Sequence, residues 1–276
     1  MLSFPPLEAP NVAGTLKPIF LLADSQLLFW RDEEGKRFLE RARALIEADA
    51  PGGRPKAAYL GASNGDAPEF FDLFVAAMAE IRIQDCRHIP ARPASDDLAF
   101  LAEADLILLS GGDVRQGWEA FQESGLRDKI AERYYAGAVL VGVSAGAVQL
   151  GLKGWDQNEV FDTFSLVPFV VDVHDEPQWS GLHRALPKTG EHVRGFGIPS
   201  GAGALYHSDY SVEPVRSPLT EMERSETGSL RQALLLPGAG QTAADEEETQ
   251  VMSQEELVER VLRDLGPDSD DDGSVN

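Results

Sequence analysis

Four short apolar runs constrain this chain most. They are Pro18-Ile-Phe-Leu-Leu-Ala23, Lys56-Ala-Ala-Tyr-Leu-Gly61, Ala104-Asp-Leu-Ile-Leu-Leu-Ser110 and Ala138-Val-Leu-Val-Gly-Val143. Each has the length of one buried strand. A weaker strand covers Asp85 to Ile89. Helical spacing fills the gaps: Glu33 to Asp49, Ala67 to Ile83 entered through Pro68, Asp97 to Glu103, and Gly117 to Tyr135. Strands alternating with helices predict crossover connections and an α/β fold, a mostly parallel sheet with helices on both faces. In such sheets ligands bind beyond the carboxyl ends of the strands. Here those ends read Asp24-Ser25-Gln26, Gly61-Ala-Ser-Asn64, Ser110-Gly-Gly-Asp113 and Gly142-Val-Ser144.

The second half is less regular. Trp155 to Phe164 reads as a polar loop anchored by Phe161 and Phe164, and Leu166 to Val173 is an apolar run reaching His174. Gly203 to His207 and Leu230 to Leu236 suit strands of a final sheet portion. Ser253-Gln-Glu-Glu256 resembles a capping box for a helix ending near Leu265. Residues 1–16, with Pro5, Pro6 and Pro10, read as an N-terminal arm, and residues 266–276 as a disordered acidic tail. No repeat or linker divides the rest, so residues 1–265 are expected to form one domain.

Composition narrows the partners. Against 24 Lys and Arg stand 46 Asp and Glu, a net charge of −22. That field disfavours nucleic acid and anionic membranes, serves solubility, and could favour a cationic substrate. Cys86 is the single cysteine, so no internal disulfide can form and a cytoplasmic setting is expected. No apolar run approaches the roughly 18 residues of a membrane span, and no basic start with an apolar block marks a leader. Neither metal nor cofactor is expected, and a homodimer stays open.

Chemistry concentrates at Gly142-Val-Ser-Ala-Gly146. A strand leads in and a helix-compatible stretch leads out, the setting in which G-x-S-x-G lifts a serine hydroxyl on a tight turn. A serine needs a base, a group to orient that base, and donors for the oxyanion. Ala145 N–H, at a helix start, and the Gly111-Gly112 backbone are candidate donors. Of five histidines, His174 ends an apolar run downstream of the serine and ranks first as base, with His207 second. For the acid, Glu159 ranks ahead of Asp162 and Asp172. Asp172-Val-His174-Asp-Glu176 lacks the second histidine of a metal motif. Cys86 has no elbow around it and reads as a buried small residue.

Leu108-Leu-Ser-Gly-Gly-Asp113, Gly142-Val-Ser-Ala-Gly-Ala147, Val171-Asp-Val-His174 and Tyr59-Leu-Gly-Ala-Ser-Asn-Gly65 together resemble the cyanophycinase and aspartyl dipeptidase (peptidase E) family of serine peptidases. The resemblance runs from about Pro18 to Leu205. It implies a three-layer flavodoxin-like sheet related to class I glutamine amidotransferases. It also implies a short peptide as substrate, Ser144 as nucleophile, His174 as base, and Gly112 and Ala145 as oxyanion donors. The acid would be Glu159, in the loop after the nucleophile helix, and Asn64 and Asp113 would contact substrate. Two segments depart from that family. Asp175-Glu-Pro-Gln-Trp179 follows the histidine where an aromatic and spaced arginines are usual, and Pro199-Ser200 follows Gly197-Ile198 where an acidic pair is usual. The alternatives are an amidase on a non-peptide amide, or a binding or regulatory protein that keeps the fold without the reaction.

Overall fold

The sheet alternation shows directly in which side chains face which helices. The computed structural model describes residues 16–238 apart from 50, 191, 226 and 227. Residues 1–15 of the N-terminal arm, the expected helix at 253–265 and the acidic tail lie outside the described residues. In chain order the first half runs β1 (Ile19–Leu22), α1 (Glu40–Asp49), β2 (Lys56–Leu60), α2 (Pro68–Glu80), β3 (Asp85–Ile89), α3 (Ser95–Glu103) and β4 (Leu106–Leu109). It continues through α4 (Val114–Glu123), α5 (Leu126–Tyr135), β5 (Val139–Val143) and α6 (Ala145–Leu150). The second half holds β6 (Lys153–Trp155), β7 (Val160–Asp162), β8 (Val170–Val173), α7 (Ser180–Ala185), β9 (Arg194–Ile198), β10 (Gly203–Tyr206), β11 (Val212–Val215), β12 (Leu219–Arg224) and β13 (Leu230–Leu235).

Seven strands form the central sheet in the order β11-β10-β1-β5-β4-β2-β3. The five strands from β1 to β3 are mutually parallel, and β10 runs antiparallel against β1. Along each strand alternate side chains enter opposite cores, as the two-residue period requires. Ile19, Leu21, Ile107, Leu109 and Leu140 pack with Leu101 of α3, Phe121 of α4 and Ile130 of α5. Phe20, Leu22, Leu106, Leu108 and Val141 pack on the other side with Ala42 and Ile46 of α1 and Phe74 and Met78 of α2. The chain therefore leaves β1 and β2 toward one face and β4 and β5 toward the other. Crevices open where neighbouring strands diverge in this way.

Three expectations need revision. Residues 33–39 are not helical: Asp32 accepts from the backbone N–H of Glu34 and Lys36, and Gly35 turns at φ 77°. Such local side-chain bonds compete with a helix. The expected helix from Gly117 to Tyr135 begins earlier, capped by Asp113, and breaks at Gly125 with φ 75°. The polar loop at 155–164 is mostly a hairpin, β6 paired with β7, while Phe164 is buried against Trp118 as an anchor. The second half also builds its own sheet, β13-β12-β9-β8. Val170, Met222 and Leu182 and Leu186 pack with Trp179 beneath it.

Helix α6 can start directly above β4 only because residue 146 is glycine. A Cβ there would stand 2.3 Å from the carbonyl oxygen of Leu109 on β4, well inside contact distance. The Gly146 N–H instead donates to the Ser110 carbonyl at 3.1 Å. Gly146→Ala is expected to lower unfolding free energy by more than about 2 kcal/mol, since the clash is with backbone that cannot step aside. Urea titration followed by circular dichroism checks this; an unchanged midpoint would contradict the packing described.

Candidate active site

Ser144 sits at the turn between β5 and α6 with φ 50° and ψ −112°. A non-glycine residue there is strained by about 1–3 kcal/mol. Its N–H donates to the Leu22 carbonyl at the end of β1 at 2.9 Å, so a neighbouring strand fixes the turn. His174 follows β8 directly. It too has positive φ, 43°, and its N–H donates to the Ile198 carbonyl at 2.9 Å. These two backbones bring Ser144 Oγ to 2.9 Å from His174 Nε2, the separation of a hydroxyl donating to a ring nitrogen.

Gly112 closes the site on the β4 side. At φ 130° it takes a backbone shape that side-chain-bearing residues rarely adopt, and a Cβ would stand 2.1 Å from the Ser63 carbonyl oxygen. The N–H groups of Asp113, Ser144 and Gly146 are tied to carbonyls of neighbouring segments; those of Gly112 and Ala145 make no such loop bond. Of the two expected oxyanion donors, Gly112 lies in the loop after β4 and Ala145 is the first residue of α6, directly after Ser144.

The structure does not bring Glu159 to His174. Glu159 stands at the tip of the β6–β7 hairpin, where Arg115 Nη2 donates to its Oε1 at 2.7 Å. Arg115 Nε donates to Asp156 Oδ2 at 2.7 Å, and its guanidinium lies 3.9 Å above the Phe161 ring centre. The backbone amides of Glu159 and Asn158, with help from Arg115, hold the Asp156 carboxyl below its ordinary value. Asp162 is a surface partner of Lys153. Asp172 points inward and accepts from the N–H of Val173 at 3.0 Å and of Leu182 at 3.2 Å, joining β8 to α7. No carboxylate among the described residues comes within 4.0 Å of a His174 ring nitrogen. Arg115, absent from the sequence-based set, is what claims Glu159.

The remaining candidates have other partners. His207 pairs with Glu213 at 2.8 Å and His88 with Asp66 at 3.2 Å. Asn64 Nδ2 donates to the Tyr59 hydroxyl at 2.7 Å, while its buried Oδ1 has no protein partner. Asp113 caps α4 by accepting from Gln116 N–H and stays exposed next to Gly112. An open cleft of about 560 Å³ runs past it, with Arg92, Arg115, Gln116 and Glu119 on its walls. Burial pushes the Cys86 thiol up to about 11, in keeping with an unreactive side chain. Among the described residues no group of three or more His, Cys, Asp and Glu side chains is arranged to hold a metal ion. No helix among them is long and apolar enough to cross a membrane.

Comparison with known proteins places the chain in a family. The profile of peptidase family S51 matches residues 22–186, more than half of the chain, a span that includes Ser144 and His174. The chain belongs to peptidase family S51. That family places it among the serine peptidases, and the resemblance read from the sequence is borne out at this level. The chain is 30% identical over 101 residues to the uncharacterized peptidase YgaJ of Bacillus subtilis, a match spanning 34% of this chain and 42% of that protein. It is 26% identical over 172 residues to Peptidase E of Streptomyces coelicolor, spanning 59% of this chain and 69% of that one. Two crystal structures share the fold. A peptidase from an acI-B1 Actinobacterium has a TM-score of 0.61 at 17% identity, covering 81% of this chain and 96% of its own. A putative peptidase E from Listeria monocytogenes has a TM-score of 0.52 at 14% identity, covering 72% and 98%.

Asp172 gives the S51 site region a pH signature. Burial, opposed by the amides of Leu182 and Val173, pushes its carboxyl from 3.8 up to about 6. A carboxyl raised in the folded state binds its proton more tightly there than when unfolded. Its contribution to stability is therefore full below its unfolded value and withdrawn as pH rises through about 6. Asp172→Asn removes that dependence, by up to about 3 kcal/mol, whatever constant offset the amide introduces. The melting temperature of the variant should gain on wild type between about pH 4 and pH 7. A pH-independent difference would count against a buried, neutralisable carboxyl.

Proposed function

We propose that this S51 chain is a serine exopeptidase acting on short peptides through an acyl-enzyme. The Ser144–His174 contact of 2.9 Å carries the reading, because a hydroxyl held on an imidazole nitrogen is the arrangement that makes serine nucleophilic. His174 Nε2 takes the Ser144 proton as Oγ attacks the peptide carbonyl carbon. The carbonyl oxygen gains the negative charge and accepts from the N–H groups of Gly112 and Ala145. The tetrahedral adduct collapses, the C–N bond breaks, and the imidazolium gives its proton to the departing amine. Water then attacks the ester, His174 takes its proton, and the acid product leaves as Ser144 Oγ is reprotonated. His174 is held by its own backbone, through the Ile198 carbonyl and the turn at φ 43°. Glu159 then serves by holding the hairpin to Arg115 rather than by orienting the base.

The resemblance to the peptidase E family read from the sequence supports a short substrate. Asp113, exposed beside Gly112, offers a carboxylate to a peptide's cationic amino group, and the net charge of −22 favours the same kind of ligand. Asn64 lies on the adjoining loop. The single cysteine supports a cytoplasmic setting.

A fluorophosphonate should label Ser144, seen as one adduct by mass spectrometry, and Ser144→Ala should abolish it. His174→Gln should slow labelling and dipeptide turnover by at least about 1,000-fold, while Glu159→Gln stays within about 5-fold of wild type. A loss with Glu159→Gln as deep as with His174→Gln would restore Glu159 as the third triad member. In a dipeptide screen, Asp113→Asn should raise KM by about 10-fold with kcat little changed, as loss of a ground-state contact does. A fall in kcat alone would refute its role in binding.

A further inference from the structure

Behind the Gly112 loop lies a buried polar network that the reaction steps do not use. Gln149 on α6 is fully buried, five positions beyond Ser144. Its Nε2 donates to Ser63 Oγ at 3.1 Å and to the Val114 carbonyl at 2.9 Å. The Ser63 hydroxyl in turn lies 3.5 Å from Gln149 Oε1. One side-chain amide thus ties the nucleophile helix to the turn after β2 and to the first turn of α4. The neighbours on α6, Ala147, Val148 and Leu150, are buried apolar residues. An amide among them is unfavourable unless its bonds are made, and a methionine would fill the same space without that demand.

A second residue is chosen for the same network. Gly117 lies inside α4, where glycine is a poor helix residue. A Cβ there would stand 2.0 Å from Ser63 Oγ and 2.6 Å from Gln149 Nε2, so any side chain would break the network. What the network steadies is the Ser63 peptide. The Ser63 carbonyl accepts from Asp113 N–H at 2.7 Å, and the same oxygen occupies the place of a Gly112 side chain. The hydrogen bond fixes the peptide that follows Gly112 and the Ser63 oxygen packs against Gly112 Cα, so Ser63 sets from below the backbone that carries the Gly112 N–H, and Gln149 holds Ser63.

We propose that Gln149 and Ser63 are positioning residues that aim the Gly112 N–H at the forming oxyanion. This rests on the serine-peptidase reading above. A donor to the oxyanion acts mainly in the transition state, so misaiming it lowers kcat and leaves ground-state binding nearly intact. Because the two side chains act on one peptide, their losses should not add.

The test uses the full chain with Gln149→Met, Ser63→Ala and the pair together. Folding is followed by circular dichroism and thermal melting. Diisopropyl fluorophosphate, whose phosphoryl oxygen takes the oxyanion's place, reports the site by its inactivation rate, and dipeptide hydrolysis supplies kcat and KM. The expected result is cooperative melting, KM within about 3-fold of wild type, and kcat and inactivation rate lowered by about 10- to 100-fold, with the pair no worse than about twice the larger single loss. Folded variants that react at the wild-type rate, or that lose only KM, would overturn the proposal. Should Gln149→Met not fold, Ser63→Ala, which removes one hydroxyl, decides. Wild type that takes no label on Ser144 would overturn the peptidase reading and this inference with it; labelled wild type with unaffected variants would overturn this inference alone.

Discussion

The carbonyl oxygen of Leu109, pressed against Gly146, is the contact on which the site depends. Strands β4 and β5 are hydrogen-bonded neighbours, about 4.8 Å apart. A helix leaving β5 can start directly above β4 only if its first turn presents no side chain on that side. With glycine there, α6 sits close enough for the Gly146 N–H to reach the Ser110 carbonyl, and Ser144 is carried to the mouth of the β4 loop. The Leu22 carbonyl of β1 holds the turn from the other side. Three adjacent parallel strands therefore share in placing one hydroxyl. The Gly111-Gly112 amides are near it for the same reason, since they lead out of β4.

The Ser144–His174 pair spans two sheets. Ser144 belongs to the central sheet and His174 to the sheet β13-β12-β9-β8. Their separation is governed by the backbone bonds that join the segments after α6 to β8. Leu152 N–H donates to the Phe169 carbonyl at 3.0 Å, and Phe164 N–H to the Gln149 carbonyl at 3.0 Å. Leu166 and Val167 N–H both reach the Leu150 carbonyl at 3.1 Å. Asp172 locks β8 to α7 from within. The hairpin β6–β7 covers this seam, held on its outer side by Arg115 through ion pairs that are half in solvent and individually weak.

The central sheet was legible because its signal is local. An apolar run of a few residues, ended by small polar ones, is a strand whatever surrounds it, and β1, β2, β4 and β5 fall inside the runs read from the sequence. The elbow was legible for the same reason: Gly142, Ser144 and Gly146 act within one turn. His174 followed from its place at the end of such a run. What failed to show depends on distant partners. Glu159 could be counted from Ser144, but nothing near it in sequence reveals that Arg115, forty-four residues earlier, takes its carboxylate. Gln149 reads as an ordinary polar helix residue until Ser63, eighty-six residues away, is folded onto it. The second sheet was hidden likewise, since β12 and β9 pair across a long separation. The break at Gly125 and the turn at Asp32 were local, yet helical periodicity ran across both.

Ser144 and His174 share a property unrelated to their reactivity: both hold positive φ with a side chain attached. Glycine would occupy either position with less strain, by roughly 1 kcal/mol each. The two positions proposed to carry the reaction are thus positions where the fold would be content with less. Drift that abandoned the reaction would meet no structural resistance there and a small structural reward. In this architecture the reactive groups persist only as long as something other than folding requires them.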